Sequence, residues 1–481
     1  MFVAMTAVDG PPAGPRRPPS HLRGHYGSGG AEPAGNGSRH GASRSRAARR
    51  LAARRRGHRR LAVIVICCVA VTVLALALTG SAGPAQHKAD SPTLGAPRST
   101  VLASPTLRSS LARSLRFPGT LPALPFPGAG ESAVVVSGMG LVDATPDEQS
   151  VPVASVTKIM TAYLILKDHP LTGSSGGPVF TMTAADHAAW IQASEEDESN
   201  IEVKAGERLD ERQLLQALMI PSADNIASYL AAWDAGSVPA FVRKMNATAV
   251  ALGLRGMHFA DASGVNPGSR GTAVDFARLA ALAMQDPVLR SITDELFIRL
   301  PVEGEIWNSY DPAVGVDGII GVKSGFTEAA QTNLVSAAWR TVDHRHVLVV
   351  CDVIDQPNSL SGDALDNEAL LQAVTGDLRA TRLYRSGAKI GEATTAWDGD
   401  TSGLHLSDGL VVIGWPGLVV HPEVLTAPPT AATERHGWPA DGSVGTFEVV
   451  YPYGAAVSAP ALLDSSIRPP PAGWTPSGDA G

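Results

Sequence analysis

The middle of the chain carries apolar residues at the three- and four-residue spacing of amphipathic helices. One such pattern runs from Ser155 to Lys167, and a second covers DERQLLQALM, Asp210–Met219. A third starts at Ser222, a residue typical of helix caps, and others lie near residues 240–252 and 272–285. This spacing places the apolar side chains on one face of each helix. The middle of the chain is therefore predicted to be helical.

Shorter apolar runs bounded by turn residues predict strands on both sides of this helical part. SAVVVSGMGLVDA begins near Gly130, and GIIGVKSGF, NLVSAAWRT and HVLVVCDVI follow the helices, the last two spaced as a hairpin. After about Leu383, runs such as GLVVIGW and GTFEVVYPY alternate with Gly, Pro and Asp turns. The expected fold class is α+β: an antiparallel sheet covered by helices, with a helical subdomain closing one side and a small all-β domain at the C-terminus.

One apolar stretch differs from the others, because Leu61–Thr79 contains no charged residue and is long enough for a helix that crosses a bilayer. The basic run RRRGHRR directly before it predicts a cytoplasmic N-terminus and an extracellular body, with residues 61–80 as a single transmembrane anchor. A signal peptide cleaved near residues 80–82 is the alternative. Residues 81–118 are rich in Pro, Ser and Ala and are predicted to be a linker.

Charge is distributed unevenly along the chain. Residues 1–60 contain thirteen arginines and many Gly, Pro and Ser residues, so they are predicted to be a disordered basic tail in the cytoplasm. The whole chain nevertheless has a formal net charge of −7, so the body after this tail is acidic. An acidic body is not expected to bind nucleic acid, and the membrane is the expected contact of residues 61–79.

Two other features bear on the type of site. The acidic run EEDESNIEV, which starts at Glu195, lacks the glycine and the spacing of a calcium loop and is expected to be a solvated surface loop. Cys351 lies in a strand-like apolar run, where a buried structural thiol is expected. Trp307 and Asn308 are candidates to line a cleft, with a core position as the alternative for Trp307. Neither a metal site nor cysteine chemistry is predicted.

Candidate chemistry first occurs in PVASVTKIMT, where Ser155 precedes Lys158 by three residues at a predicted helix start. Residues i and i+3 are neighbours on one helix face, so the two side chains are expected within hydrogen-bond reach. A serine hydroxyl becomes a good nucleophile only when a positioned base accepts its proton, and a lysine does this only in its neutral form. The alternative is an ordinary helix start with a solvated amine, since Ser-x-x-Lys is common by chance.

Two later stretches favour the catalytic interpretation. PSADN places Ser222 at a loop-to-helix turn, and GVKSGF places Lys323, Ser324 and Gly325 on a strand. A small serine and a glycine allow a peptide to lie along the strand edge, and a lysine attracts a carboxylate. Three motifs in this order are far less common by chance than any one of them.

This set resembles the Ser-x-x-Lys, Ser-x-Asn and Lys-Thr-Gly motifs of the penicillin-binding protein superfamily. More narrowly, residues 132–355 resemble the low-molecular-mass D-alanyl-D-alanine carboxypeptidases, in VPVASVTKIMTAYLIL, KAGERLDERQLLQALMIPSADN, LGLRGMHFADASGVNPG and VDGIIGVKSGFTEAAQTNLVSAA. The resemblance implies the β-lactamase-like α+β fold for a catalytic domain over residues 119–382 and a small β-rich domain with a Pro-rich tail over residues 383–481. It also implies a serine-type peptidase without metal or cofactor that trims D-alanine from peptidoglycan stem peptides and is acylated by β-lactams.

The resemblance further implies a role for the residues of the first two motifs. Ser155 would be the acylated nucleophile, Lys158 its general base, and Ser222 a relay that carries a proton to the leaving amine. The backbone N–H group of Ser155 would contribute to an oxyanion hole.

The third motif is implied to bind the substrate. Lys323 and Ser324 would hold the terminal carboxylate of the peptide, with Gly325 leaving room for it on the strand. The backbone N–H group of Phe326 would be the second donor of the oxyanion hole. Ser324 stands where the family has threonine, and its hydroxyl preserves the same hydrogen-bonding group.

One position departs from the family pattern. The family has Asn two residues after the second-motif serine, whereas this chain has Asp224 followed by Asn225. An ionised carboxylate beside Lys158 only accepts hydrogen bonds and stabilises the ammonium form. The sequence leaves three alternatives: a protonated Asp224, an Asn225 that replaces the missing amide, or a weak or inactive homologue that binds wall peptides. A β-lactamase is a further alternative, although no deacylating glutamate loop of that class follows SADN.

Overall fold

The computed structural model of the chain describes residues 103–308 and 313–474. Its helices are α1 Lys158–Asp168, α2 Ala184–Glu195, α3 Glu211–Met219, α4 Asp224–Ala235, α5 Val238–Ala251, α6 Ala273–Ala283, α7 Pro287–Thr293, α8 Leu360–Asp377 and α9 Ala431–His436. A 3₁₀ turn, Ala154–Thr157, leads directly into α1. The predicted basic tail and the predicted anchor both lie outside the described residues. Inside those two ranges, none of the helices combines the length and the apolar character needed to cross a bilayer.

The strands of the first 356 residues are β1 Thr106–Ser109, β2 Leu115–Arg116, β3 Glu131–Val136, β4 Gly140–Ala144, β5 Val151–Pro152, β6 Val179–Thr181, β7 Arg208–Asp210, β8 Arg270–Gly271, β9 Phe297–Leu300, β10 Gly304–Trp307, β11 Ile319–Thr327, β12 Gln331–Val342 and β13 Arg345–Gln356. The later strands are β14 Arg379–Tyr384, β15 Lys389–Thr394, β16 Thr401–Leu406, β17 Leu410–Gly414, β18 Val419–Thr426, β19 Ser443–Val450 and β20 Ala456–Leu463.

A five-stranded antiparallel sheet, in the order β11–β12–β13–β3–β4, forms the centre of the part between residues 131 and 356. Strand β13 shows why its sequence HVLVVCDVI is apolar without alternation. Val350 and Ile354 lie in the core under the helices, whereas Cys351 and Val353 lie in a second core on the opposite face. A strand that is buried on both faces favours apolar residues at nearly every position, and the buried Asp352 is the exception in this run. The buried thiol predicted at Cys351 is confirmed.

The helices cover the first of these cores and form the predicted helical subdomain. Helix α1 is central, because it contacts α3, α4, α5 and α6. The apolar stripe expected on α3 is buried at Leu214, Leu215 and Leu218. Asp210 caps this helix in a capping box with Gln213, which explains why the helix begins directly after it. The predicted α+β class, with an antiparallel sheet and covering helices, is confirmed.

The start of α4 differs from the prediction of a serine cap. The N-cap residue is Ala223, no side chain caps the helix, and Ser222 has a φ of +63°. A non-glycine residue in the left-handed region costs about 1–3 kcal/mol and is held there by its surroundings. The Ser222 side chain is therefore not used to begin the helix.

The C-terminal part is β-rich. Its main sheet has the antiparallel order β1–β15–β16–β20–β19–β18–β2, and β14 pairs separately with β17. The prediction of an all-β domain needs one correction, because the short helix α9 lies between β18 and β19. Its sequence begins with a Thr430 capping box that lets the chain form one helical turn between strands.

The structure also corrects the prediction of a linker over residues 81–118, in the part from residue 103 that it describes. Residues 106–116, here called the N-terminal strap, contribute strands to both edges of the C-terminal sheet. Strand β1 pairs with β15, and β2 pairs with β18. Edge strands need only a few backbone hydrogen bonds and little side-chain burial, so a Ser-, Arg- and Leu-containing stretch without long apolar runs can supply them.

A buried carboxyl group at the start of α3 gives a prediction about stability. Glu211 is 1% exposed, and among the described residues neither of its carboxyl oxygens has a hydrogen-bond partner. Burial, with the neighbouring Asp210 charge, raises the pKa of Glu211 to about 7. The native state thus holds this proton more tightly than the unfolded state, so its contribution to stability is present at pH 4–5 and is lost as the pH rises through 7. We expect Glu211→Gln to increase the free energy of unfolding by about 2–3 kcal/mol at pH 8 and to change it little at pH 5.

Equilibrium urea unfolding at the two pH values measures this difference. Glu195→Gln is the matched control, because Glu195 is an exposed helical carboxylate. An equal gain for Glu211→Gln at pH 5 and pH 8 would show that ionisation of this group does not oppose folding.

Candidate active site

Ser155 lies in the 3₁₀ turn that begins the central helix. Its Oγ atom is 2.8 Å from Nζ of Lys158, so the predicted contact between the two side chains is confirmed. Val156, Thr157 and Lys158 are buried around it, while Ser155 itself is only half-buried. The turn therefore presents one hydroxyl to the outside and holds it against one amine.

Lys158 is fully buried and donates to three acceptors. These are Oγ of Ser155 at 2.8 Å, Oδ1 of Asp224 at 2.6 Å and the carbonyl oxygen of Ser263 at 3.0 Å. An ammonium group has three protons, so this set of acceptors satisfies it completely. Asp224 is 5% exposed, and the pair is a buried salt bridge. An amine acts as a base only in its neutral form, in which it has two protons and can donate to at most two of these three acceptors.

Strand β11 passes directly beside the Ser155 turn. A Cβ atom added at Gly325 would lie 2.9 Å from the backbone nitrogen of Ser155 and 3.0 Å from the carbonyl oxygen of Val153. Only glycine allows this close approach of two backbones. Since β11 is the edge strand of the five-stranded sheet, a peptide can pair with it on the side next to Ser155. The side chain of Phe326 is 62% exposed at the end of this edge.

A second glycine fixes the turn from another direction. Gly264 has a φ of +92°, and a Cβ atom added there would lie 1.7 Å from the carbonyl oxygen of Ala154. Ala154 also has a positive φ, +48°. The neighbouring Ser263 supplies a carbonyl to Lys158, so the 263–264 segment holds both catalytic candidates in place. The sequence analysis did not identify these two residues.

The remaining predicted residues of the three motifs are also buried near this point. Lys323 is 1% exposed and donates to the carbonyl oxygen of Ser324 at 3.0 Å. Ser222 and Ser324 are 1% and 2% exposed, and in the part of the chain that the structure describes neither hydroxyl makes a hydrogen bond. Buried hydroxyls without partners cost about 1–3 kcal/mol each. Such groups are typical of sites in which a ligand completes the hydrogen bonds.

Asn225 does not occupy the position expected for a replacement of the missing amide. Its Oδ1 atom accepts from the backbone N–H of Ile201 at 3.3 Å, and its Nδ2 atom donates to the carbonyl oxygen of Ile201 at 3.0 Å. The backbone N–H of Asp224 donates to the carbonyl oxygen of Ser199 at 2.8 Å. These bonds attach residues 196–202, here called the acidic loop, to the start of α4. The alternative in which Asn225 contacts Lys158 is not the arrangement seen.

The acidic loop differs from the solvated loop that was predicted. Glu198 is half-buried, and burial together with the nearby Asp224 charge raises the pKa of the Glu198 carboxyl above its usual value. Lys158 opposes this effect by lowering the pKa. The pKa of Glu198, in the middle of the loop, therefore depends on the charges of Asp224 and Lys158. No group of three or more His, Cys, Asp and Glu side chains in residues 103–308 and 313–474 is arranged to hold a metal ion.

Trp307 is not a core residue, because 60% of its surface is exposed. It lies on β10, opposite Phe297 of β9, on the face of that hairpin that points away from the protein. Alternation along the strand places Ile306 on the inner side and Trp307 on the outer side. The size and apolarity of Trp307 suggested that it would be buried, but the strand register places its side chain on the exposed face.

Comparison with known proteins agrees with this geometry. The family described as D-alanyl-D-alanine carboxypeptidase matches residues 129–355. The chain is 28% identical to the D-alanyl-D-alanine carboxypeptidase DacD of Salmonella typhimurium over 55% of this chain and 66% of that relative. It is 30% identical to the D-alanyl-D-alanine carboxypeptidase of Streptomyces sp. K15 over 39% of this chain and 67% of the relative. The first of these alignments spans slightly less than two thirds of its relative.

Among solved structures, the chain is similar to penicillin binding protein 5 from Haemophilus influenzae. The TM-score is 0.52 at 20% sequence identity, and the match covers 72% of this chain and 99% of that one. This likeness supports the fold, including the β-rich C-terminal part. The family match and the Streptomyces relative show that the chain belongs to the D-alanyl-D-alanine carboxypeptidase family.

Proposed function

We propose that this chain is a serine-type D-alanyl-D-alanine carboxypeptidase that trims peptidoglycan stem peptides. The observation that carries the proposal is the 2.8 Å contact between Oγ of Ser155 and Nζ of Lys158, on a turn packed against the edge strand β11. A hydroxyl beside an amine, at an edge where a peptide can add as a strand, suits acyl transfer from a peptide.

The proposed reaction has two steps. Oγ of Ser155 attacks the carbonyl carbon of the penultimate D-alanine, its proton passes to Lys158, and the bond to the terminal D-alanine breaks as that amine takes a proton through Ser222. Water then attacks the ester, which releases the shortened peptide and restores the serine hydroxyl. The Lys323 ammonium attracts the terminal carboxylate, and the backbone N–H groups of Ser155 and Phe326 bind the oxyanion, each donor contributing about 3–4 kcal/mol in serine hydrolases.

We further propose that residues 61–80 anchor the enzyme in the cell membrane, with the basic tail in the cytoplasm and the catalytic part outside the cell. The support is the uncharged run Leu61–Thr79 that directly follows the arginine cluster. This location would give the active site access to the cell wall. β-Lactams are the expected covalent inhibitors, since they would acylate the same serine.

Labelling with a fluorescent penicillin and release of D-alanine from a stem pentapeptide test the proposal together. We expect stoichiometric labelling of the purified full-length chain, with the added mass on the peptide that contains Ser155. We also expect steady D-alanine release that the penicillin blocks. An unlabelled protein that releases no D-alanine would contradict the assignment.

A second candidate is a weak or inactive homologue that only binds wall peptides. The buried salt bridge between Lys158 and Asp224, at 2.6 Å, favours it, because the carboxylate accepts a hydrogen bond from the amine that would have to act as the base. Asp224→Asn keeps an oxygen that can accept from Lys158 and removes the charge. We expect this variant to be acylated at least about tenfold faster at pH 7, because a neutral amide oxygen binds the amine more weakly than a carboxylate does.

The rate of penicillin acylation from pH 5 to 10 measures this effect in both proteins. Asp234→Asn is the control, because Asp234 is a buried carboxylate on the same helix that pairs with Lys244 instead. A slower Asp224→Asn enzyme would show that the carboxylate accepts the proton from Lys158 and belongs to the relay.

A further inference from the structure

The hairpin of β9 and β10 presents aromatic residues on its outer face. Its antiparallel register places Phe297 opposite Trp307 and Arg299 opposite Glu305, while Ile298 points inward and is 2% exposed. Phe297 is 42% exposed and Trp307 is 60% exposed. An outer strand face is normally polar, and two adjacent exposed rings are typical of a binding surface. These four outward residues are called the aromatic platform.

The aromatic platform is held in one arrangement without a ligand. Arg299 donates through Nη2 at 2.7 Å and through Nε at 3.1 Å to Oε2 of Glu305. The other carboxylate oxygen of Glu305 accepts from Nε1 of Trp307 at 2.9 Å. The ring centroids of Phe297 and Trp307 are 5.2 Å apart. Because the indole is already oriented, a ligand that stacks on it loses little affinity to the ordering of side chains.

Hydrogen bonds connect the aromatic platform to the active site. At the tip of the hairpin, the Glu303 carboxylate accepts from the backbone N–H of Glu202, the last residue of the acidic loop. The backbone N–H of Val302 donates to the Glu207 carboxylate at 3.2 Å. The acidic loop is in turn bonded to the start of α4, which carries Asp224. The hairpin that carries the aromatic platform is therefore joined by hydrogen bonds, through the acidic loop, to the helix that carries Asp224.

The chemistry of the aromatic platform fits a saccharide. A pyranose ring has a face of C–H groups, which packs on the electron-rich face of an indole, and hydroxyls around its edge. The Arg299–Glu305 pair lies beside the rings and offers both donors and acceptors to hydroxyl groups. A protein partner would need about 800 Å² of complementary surface, far more than two rings interrupted by an ion pair provide. An open, flat face also does not enclose a small ligand as a pocket does.

We propose that the aromatic platform binds the glycan strand to which the stem peptides are attached. This inference rests on the proposed function, because a stem peptide in the active site is covalently attached to such a strand. The aromatic platform would then keep the enzyme on the polymer and raise the concentration of neighbouring stem peptides at Ser155. Its contribution would be seen with glycan-linked substrates and not with free peptides.

Trp307→Ala tests the proposal in the full-length chain. The first assay is co-sedimentation with insoluble glycan from which the peptides have been removed, so that the active site cannot contribute. The second compares the KM for a free pentapeptide with the KM for a glycan-linked one. We expect Trp307→Ala to weaken glycan binding and to raise the KM for the linked substrate by about tenfold each, because the substitution removes the indole face on which a sugar ring would pack. The kcat and KM for the free peptide should stay within about twofold of wild type.

Two variants serve as controls. Trp307→Phe keeps a ring and should retain most of the glycan binding, and Val250→Ala removes an apolar side chain that is 79% exposed on α5 and should have no effect. Equal sedimentation of wild type and Trp307→Ala, including none by either, would overturn the proposal. A second result would also overturn it: light scattering shows a dimer for the wild type and a monomer for Trp307→Ala, and both proteins bind glycan equally. The aromatic platform would then be the contact with a second copy of the chain. A wild-type protein that binds glycan through Trp307 but releases no D-alanine would refute the proposed function and leave the glycan site standing.

Discussion

Replacing Ser155 by alanine is expected to abolish acylation by penicillin and to lower D-alanine release at least about 1,000-fold. Of the three motif serines, Ser155 alone has its hydroxyl 2.8 Å from the Lys158 amine. Ser222 and Ser324 have buried hydroxyls without hydrogen-bond partners among the described residues. Removing Oγ takes away the atom that forms the covalent bond, so no alternative route through the same contacts remains.

The variant should still bind the peptide. Lys323 and β11 are untouched by the substitution, so the dissociation constant for a stem peptide, measured by calorimetry, should change by less than about threefold. Ser386→Ala, in an exposed turn of the C-terminal part, is the matched control and should label normally. Full labelling of Ser155→Ala would move the nucleophile to another serine and refute the assignment.

Gly264→Ala is expected to have the largest effect on the fold around the site. The new Cβ atom would lie 1.7 Å from the carbonyl oxygen of Ala154 and 2.8 Å from Oγ1 of Thr157, and the residue would have to keep a φ of +92°. The Ser155 turn or the 263–264 segment must therefore move. We expect a loss of about 2–4 kcal/mol in the free energy of unfolding and a decrease of about 100-fold or more in the acylation rate.

Gly253→Ala is the control that separates two effects of Gly264→Ala, the steric clash of the new Cβ atom and the cost of a positive φ in alanine. Gly253 has a similar φ of +70°, but a Cβ atom there meets no atom within 4 Å. Urea unfolding and penicillin acylation of the two variants should show a moderate loss of stability in Gly253→Ala and normal acylation. If Gly264→Ala behaved like Gly253→Ala in both measurements, the close approach of Gly264 to Ala154 would not be needed for stability or for acylation.

The sequence allowed the site to be anticipated where its geometry is local. Ser155 and Lys158 are three residues apart on one helical turn, so their contact requires no tertiary information. The strand nature of β11 and the glycine at 325 were also readable, since apolar runs with a glycine are typical of edges approached by another backbone. The family motifs then indicated which distant segments meet.

Other parts of the site depend on contacts that no local pattern encodes. Asn225 follows the second motif directly, yet its amide binds Ile201, because the backbone of the acidic loop passes beside it and offers both a donor and an acceptor. The sequence predicted Ser222 as a helix cap, but its backbone is in the left-handed region, and the N-cap residue is Ala223. Trp307 looked like a core residue because size and apolarity usually predict burial. In each case a tertiary contact or a strand register decided the outcome.

The N-terminal strap links the order of synthesis to the order of folding. Strands β1 and β2 leave the ribosome before the catalytic part, but their partners β15 and β18 come about three hundred residues later. Such distant pairing makes closure of the C-terminal sheet a late and slow event, because the entropy of bringing the ends together is lost before any bond is gained. A chain that ends after β13 would thus contain all five strands of the central sheet but leave β1 and β2 without their partners, and such unpaired strand segments favour aggregation.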